Sequence, residues 1–450
     1  VQLEHERAPE PDVCLHHRGS PHMTGDAGCR RQDVVSTRNG HGCHGRNNRP
    51  RPRSYSAAVN DARTYPRLQV GLLGILTIAA YGCWNYAFGV LLDPVIEDTG
   101  WSEQFLTQVF GGSVLLGGVG SIFGGWLLDR LGSRTVFMTG AVVALATFLT
   151  AASTTSQAVF AVAAAVGGGV VAALGFYHVT QTVAVRISPR ASTKAIAVVT
   201  VWGAFSSFIY LPASAWLVEN HGWRPAMVVL SVSAAAAFLV AALAMSTRTK
   251  SMPRSLHLMS ELRAALRTPA ARSFLVSQGI VGIVMGIVSA YQVPAMTAAG
   301  LSLSTASFWA GFRGLSQLLG RLPLMPMVER FGVVRSMRIS YAAMAVGAVA
   351  LAFAGTPLLA AIYAIVAGFG IGAISPLIGI HSRDVFGADS LGTAMGAVSL
   401  VFQVVGAVGP PLAGWLTGQT GTRSVAVVLA GVLALAGGAV LRSPRRLPVS

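Results

Sequence analysis

The chain has 450 residues, of which 53% are hydrophobic and only 11% charged. Soluble domains carry about 25% charged side chains, so a water-soluble enzyme or binding module is excluded and a polytopic membrane protein is expected. The net charge of +16 invites a nucleic-acid reading. Its distribution argues against one: eleven arginines fall in the first 67 positions, and most of the other basic residues sit in short loops, where they set membrane orientation.

Residues 1–66 are polar, rich in Arg, His, Gly and Pro, and show no apolar period. They read as a disordered basic tail, with no charged-then-apolar-then-small pattern of a secretory signal. Cys14 beside His16-His17, and His41-x-Cys43-His44, offer soft-metal ligand types, but their spacing matches no closed zinc site. Neither a metal nor a cofactor is expected. Cys83 stands alone in an apolar helix, and no disulfide framework follows.

From Gln69 onward come twelve apolar stretches of spanning length, near 20 residues each. They cover 69–92, 104–128, 134–153, 157–185, 192–218, 224–246, 273–297, 303–328, 335–354, 357–380, 390–418 and 423–441, and are called segments 1 to 12 below. Loops at one end hold Arg130, Arg134, Arg186, Arg190, Lys194, Arg330, Arg335, Arg338 and Arg383, and the loop after segment 6 adds six more basic residues. Loops at the other end hold only Arg224 and Arg423, against Asp93, Glu97, Asp98, Glu103 and Glu219. Positive charge stays inside, so both termini are expected in the cytoplasm, with the chain in the inner or plasma membrane.

The chain is duplicated. Gly124–Thr135, GGWLLDRLGSRT, is a helix leaving the membrane, a charged turn and a helix returning. Glu329-Arg330 and Gly332 repeat Asp129-Arg130 and Gly132 at a spacing of 200. Pro212, Trp216, Leu217, Gly222 and Arg224 recur as Pro411, Trp415, Leu416, Gly421 and Arg423, each 199 positions on. The expected organisation is all-α: a six-helix bundle at 67–246, a basic loop at 247–272, a pseudo-symmetric six-helix bundle at 273–441 and a tail at 442–450. Parallel repeats of this kind build transporters around a midplane site.

Gly125, Asp129, Arg130, Gly132 and Arg134 resemble the G-x-x-x-D-R-x-G-x-R signature between the second and third helices of the major facilitator superfamily. The second copy departs from it, with Met325 for Gly, Glu329 for Asp and Val334 for Arg. The resemblance implies twelve helices in two halves, and a latch at the hairpins. Asp129 is then expected to face the start of segment 11 near Asp389-Ser390, favoured by that positive helix end and steadied by Arg130 or Arg134. Glu329, with Arg330 and Gly332, is expected to do the same for segment 5 near Ser192-Thr193. The alternative is that these charges only set topology.

The seventeen acids all fall outside the expected hydrocarbon core, and no nucleophile–base pair or paired carboxylate lies within it. An enzyme is not expected. Arg313 is the one clearly intramembrane ionisable residue, about ten residues and so about 15 Å into segment 8. A lone arginine at such depth costs about 2.5–3.5 kcal/mol on insertion scales. A bound anion would offset that, since the guanidinium fork matches a carboxylate; bonding to helix carbonyls is the structural alternative.

Tyr86–Val90, Asp93-Pro94 and Gly100-Trp101-Ser102, together with Ala299–Ser302 and Arg313-Gly314 through Gly320-Arg321, resemble the bacterial monocarboxylate porter and oxalate:formate exchanger branch. In that branch an eighth-helix arginine binds the substrate carboxylate, and Arg313 falls at the matching place. Trp309 stands where animal porters have an acid, and no lysine lies in segment 1. The resemblance therefore does not carry over their proton coupling.

Other cavity candidates are Tyr81 and Asn85, on one helix face at i,i+4, Tyr177, Tyr291, Gln292 and Gln403, with His178 and Gln181 beside Tyr177. For each, an interhelical hydrogen bond is the structural alternative. His178 is a candidate for proton coupling, since histidine is the side chain whose charge can change near neutral pH. Gly167–Gly169 reads as close helix packing. The expectation is a monomeric secondary transporter of a small organic anion, a monocarboxylate, working by alternating access in the lipid bilayer, with protons or a counter-transported anion as coupling partner. An exporter of lipophilic compounds and a non-transporting membrane sensor are the alternatives.

Overall fold

The computed structural model describes residues 66–245, 268–386 and 391–443. The amino-terminal tail with its Cys and His residues, most of the loop at 247–272, Asp389-Ser390 and most of the carboxyl tail lie outside the described residues. Those described are helices and short connections, with no strand among them.

Among the described residues, ten helices are long and apolar enough to cross a membrane. One of them, Glu103–Ser153, is broken at Gly132 and contains both segment 2 and segment 3. Segment 8, Leu303–Arg321, is missing from the ten because Arg313, Gln317 and four serines and threonines dilute its apolar character. Twelve crossings result. Segment 1 runs Arg67–Thr99, segment 4 Gln157–Ile187, segment 5 Pro189–His221 and segment 6 Trp223–Ala244. Segment 7 is Pro269–Ala298, segment 9 Val333–Ala352, segment 10 Pro357–Phe386, segment 11 Met395–Thr420 and segment 12 Arg423–Val440.

The duplication is written into the backbone. The positive-φ glycines of the described chain pair off as Gly100 with Gly300, Gly132 with Gly332, and Gly222 with Gly421. The first two pairs lie 200 positions apart and the third 199. Each such glycine ends one helix in a conformation that a Cβ disfavours. Ser102 and Ser302, also 200 apart, each follow with a side-chain cap, accepting from Phe105 N at 3.2 Å and Thr305 N at 3.3 Å.

Packing repeats as well. Segments 1 and 5, 2 and 4, and 3 and 6 pack together in the first bundle; 7 and 11, 8 and 10, and 9 and 12 do so in the second. The bundles meet where segment 2 crosses 11 and segment 5 crosses 8. Both crossings are set by equivalent glycines. A Cβ on Gly111 would lie 2.7 Å from the Ala407 carbonyl oxygen and the Pro411 ring. On Gly311 it would lie 2.9 Å from the Ser207 carbonyl oxygen and 3.4 Å from the Pro212 ring. Without water to drive association, such close approach is how membrane helices gain contact. The molecule has a basic end, with the turns at Gly132 and Gly332, and an acidic end, with Asp93, Asp98, Glu103 and Glu219.

Candidate functional site

Arg313 sits on the face of segment 8 that looks inward, 1% exposed. Its Nε donates to Gln292 Oε1 of segment 7 at 3.0 Å. The same oxygen accepts from the Tyr363 hydroxyl of segment 10, also at 3.0 Å. Two donors therefore fix the Gln292 amide with its oxygen toward the arginine and its NH2 turned away. That NH2 group and Arg313 Nη1 are buried with no partner. The guanidinium is thus neither lipid-facing nor bonded to helix carbonyls, and it sits beside a second unpaired donor. Buried polar groups normally find partners, so two orphans in one cluster mark a place built for an acceptor.

Across from this cluster stands segment 1, whose helix changes hydrogen-bonding pattern over Tyr81–Tyr86 to a π turn. In an i→i+5 pattern, residues five apart come to share a face. Tyr86 thereby joins Tyr81, their rings 6.2 Å apart, and the Tyr86 phenol interacts electrostatically with Arg313. Regular α spacing pairs Tyr81 with Asn85 rather than with Tyr86, and no residue in the run announces the π turn. Asn85 is half-buried beside them.

Segment 4 is irregular at the facing point. Phe176 is extended (φ −76°, ψ 173°), ending one helical piece at Gly175 and starting another at Tyr177. The break frees the Ala173 carbonyl, which the His178 imidazole takes at 2.8 Å. A carbonyl only accepts, so Nε2 carries the proton. Tyr177 donates to the Thr200 carbonyl at 3.3 Å and Gln181 to the Thr200 hydroxyl at 3.0 Å. Gln403 is half-buried, bonded to Ser399 at 3.2 Å with its Cβ against Gly118, and no described hydrogen bond joins it to Arg313.

Tyr291 is placed differently from its neighbour Gln292. It is fully buried, and its hydroxyl donates to Glu103 of the first bundle rather than joining Arg313. Glu103 and Asp93 together clasp Arg423 of segment 12. Arg423 Nη1 reaches Asp93 Oδ2 at 3.0 Å and the Pro294 carbonyl at 3.1 Å, and Nη2 reaches Glu103 Oε2 at 2.9 Å. Thr297 adds a bond to Asp93 at 3.4 Å. The side chains are 14% (Arg423), 30% (Asp93) and 19% (Glu103) exposed. This network ties segments 1 and 2 to segments 7 and 12 at the acidic end. Sequence reading had the three charges only as loop residues, because pairings more than 300 positions apart leave no local pattern.

A model of the Major Facilitator Superfamily matches residues 73–293 and 274–449. The chain belongs to the major facilitator superfamily. Its members are transporters rather than enzymes, and alternating access is general for the fold. The chain is similar to monocarboxylate transporter 13 of Rattus norvegicus, 27% identical over 329 residues, which is 72% of this chain and 76% of that one. It is similar to monocarboxylate transporter 11 of Homo sapiens, 26% identical over 383 residues, 79% of this chain and 77% of that one. Among solved structures, nucleoside transporter NupG aligns with a TM-score of 0.67 at 14% identity, over 84% of this chain and 99% of that one. A bacterial homolog of the human lysosomal transporter Spinster, solved inward-facing and unoccupied, aligns at 0.63 and 15%, over 84% and 95%.

The superfamily signature itself is organised differently from the expectation. Asp129 pairs with Arg186, in the last turn of segment 4, not with Arg130 or Arg134. Segments 2 and 4 finish at the same end and pack side by side, which brings the two charges together. Arg130 lies over the Trp126 ring, 4.6 Å from its centroid, and Arg134 is exposed. Gly125 is half-buried in the last turns of segment 2, and Gly132 (φ 80°) makes the corner. In the second copy Gly332 (φ 75°) makes the corner, Arg330 lies over Phe331 at 5.5 Å, and Glu329 is exposed. No described ion pair or hydrogen bond joins Glu329 to Ser192-Thr193. Asp389-Ser390, the expected partner of Asp129, lies outside the described residues.

Proposed function

We propose that this superfamily transporter moves a small organic anion, a monocarboxylate, by alternating access, with Arg313 holding the carboxylate. The observation that carries the reading is the pair of buried, unpaired donors, Arg313 Nη1 and Gln292 Nε2, set in place by Gln292 Oε1 and Tyr363. A carboxylate supplies acceptor oxygens in number, and the charge that makes segment 8 costly to bury is then neutralised by cargo. Resemblance to monocarboxylate transporters, whose names state their cargo, supports the same class.

In this reading the basic end faces the cytoplasm, and the two bundles, joined by the loop at 247–272, rock about Arg313. Arg423 with Asp93 and Glu103 holds the outer side shut, and Asp129 with Arg186 stiffens the inner corner. Proteoliposomes containing the purified chain test this with a panel of aliphatic and aryl monocarboxylates, dicarboxylates and lipophilic cations. Uptake of at least one monocarboxylate is expected, lost in Arg313→Lys while helix content and extraction yield are retained. Uptake of cations alone, or carboxylate uptake indifferent to Arg313, would replace the reading with that of an exporter of lipophilic compounds.

A further inference from the structure

We infer that the cargo is an aryl monocarboxylate: its carboxylate rests on Arg313 and its ring lies against a tyrosine-rich surface formed by Tyr81, Tyr86, Phe176 and Tyr177. This rests on the carboxylate reading above and narrows it. The Tyr81 ring stacks on Phe176, centroids 3.7 Å apart and planes 10° from parallel. It lies 5.3 Å from Tyr177 and 6.2 Å from Tyr86. Tyr86 lies on the stretch of segment 1 that packs on segment 7 close to Gln292, where a Cβ on Gly89 would lie 3.1 Å from the Ala290 carbonyl oxygen, and the Arg313 charge acts on its phenol. An aromatic surface therefore runs from the guanidinium, whose Nη1 is without a partner, into the first bundle.

All four rings are partly exposed. Segment 1 shows what a purely structural set looks like on its other face. There Trp84 and Phe88 pack with Phe110 and Phe148, all four at 4% exposure or less. The same helix thus buries one aromatic set completely and leaves the other partly exposed. The backbone agrees: the π turn at Tyr81–Tyr86 and the break at Phe176 present these rings from two helices at one level. Non-helical backbone at membrane depth is tolerated where it lines a cavity or is enclosed by protein, and π turns recur at functional sites.

An acid of two or three carbons on Arg313 leaves this surface wet. A ring one or two bonds from the carboxylate covers it and stacks in the offset geometry that aromatic pairs favour. The surface is built from phenols as well as a phenylalanine, so it suits a flat tail with an apolar face and a polar edge. Asn85, half-buried beside Tyr86, is the nearest polar side chain in sequence to meet such an edge.

The test uses the full chain in proteoliposomes, with benzoate, phenylacetate, acetate, pyruvate and neutral benzamide as probes. Benzoate or phenylacetate is expected to reach half-saturation at least tenfold below acetate and pyruvate, with benzamide inert. In Tyr81→Leu the aryl-to-aliphatic ratio is expected to fall below about threefold. Tyr177→Leu gives the same reading independently if Tyr81→Leu expresses poorly. Short acids bound as well as aryl acids, with Arg313→Lys abolishing both, would overturn this inference and leave the carboxylate reading standing. So would an unchanged ratio in both leucine variants. Benzamide competing as well as benzoate, or no acid of either kind binding, would overturn the carboxylate reading and this inference with it.

Discussion

Arg224 and Arg423 occupy equivalent places in the two bundles, 199 positions apart, and bind in opposite senses. Arg224 stays at home: its Nη1 caps the end of segment 3 through the carbonyls of Ala152 at 2.9 Å and Thr154 at 3.0 Å. The carbonyl equivalent to that of Ala152 is that of Ala352, and Ser424 takes it at 2.8 Å. Arg423 is thereby released from capping duty and crosses to Asp93 and Glu103. In the second bundle Ser424 takes the capping role, and Arg423 bonds between the halves.

Removing that bond should open the acidic end. Arg423→Ala leaves Asp93 and Glu103 facing each other without a cation. The expected cost is roughly 2–3 kcal/mol, at or below the low end for breaking a buried pair because the acids keep some contact with solvent. Hydrogen exchange should rise in peptides covering 291–297 and 415–423. Unchanged exchange there would show that the network does not hold the halves together.

Asp129 and Arg186 should act as a unit. Asp129→Asn and Arg186→Gln are each expected to slow turnover several-fold with little change in half-saturation, and the double variant should be no slower than either single one. The double-mutant cycle reads the coupling directly. Additive losses would mean that each charge works through some other partner.

Gln292 should matter more than Tyr363. Gln292→Leu removes the acceptor of both the guanidinium and the phenol, and an affinity loss of tenfold or more is expected for carboxylates. Tyr363→Phe removes one donor, leaves the Arg313–Gln292 bond and should cost less than threefold. Equilibrium binding to both variants checks the order, and a reversal would place the phenol rather than the amide at the cargo.

His178 should be a helix cap and not the proton-coupling group. Its Nε2–H replaces the backbone donor lost at the Phe176 break. His178→Gln is expected to keep the pH profile of transport, since an amide can donate to the same carbonyl. His178→Ala should lower thermal stability. A flattened pH profile in His178→Gln would return the residue to the proton pathway.

The features legible in the sequence were those with a short-range or exactly repeated signature. The Gly132 and Gly332 corners, the duplicated Pro212 and Pro411 and the buried charge of Arg313 could all be read from spacing and composition. Tyr86 escaped because the π turn over Tyr81–Tyr86 has no compositional mark, and α-helical spacing points to Asn85 instead. The clasp on Arg423 escaped because its partners lie far away in the chain. Arg186 escaped for a related reason: which neighbour Asp129 meets depends on segments 2 and 4 packing side by side, not on the charges nearest in sequence.

Segment 8 also has something to say about how the protein is assembled. Diluted by Arg313, Gln317 and its hydroxyl side chains, it is the span least able to partition into lipid alone. Its arginine finds Gln292 on the helix synthesised just before it, and Tyr363, two helices later, donates to the same Gln292 oxygen. Entry of segment 8 into the bilayer is then expected to depend on segment 7, which carries its polar partner, with segment 10 completing the shelter. A change at Gln292 is therefore expected to lower insertion of segment 8 as well as binding of cargo.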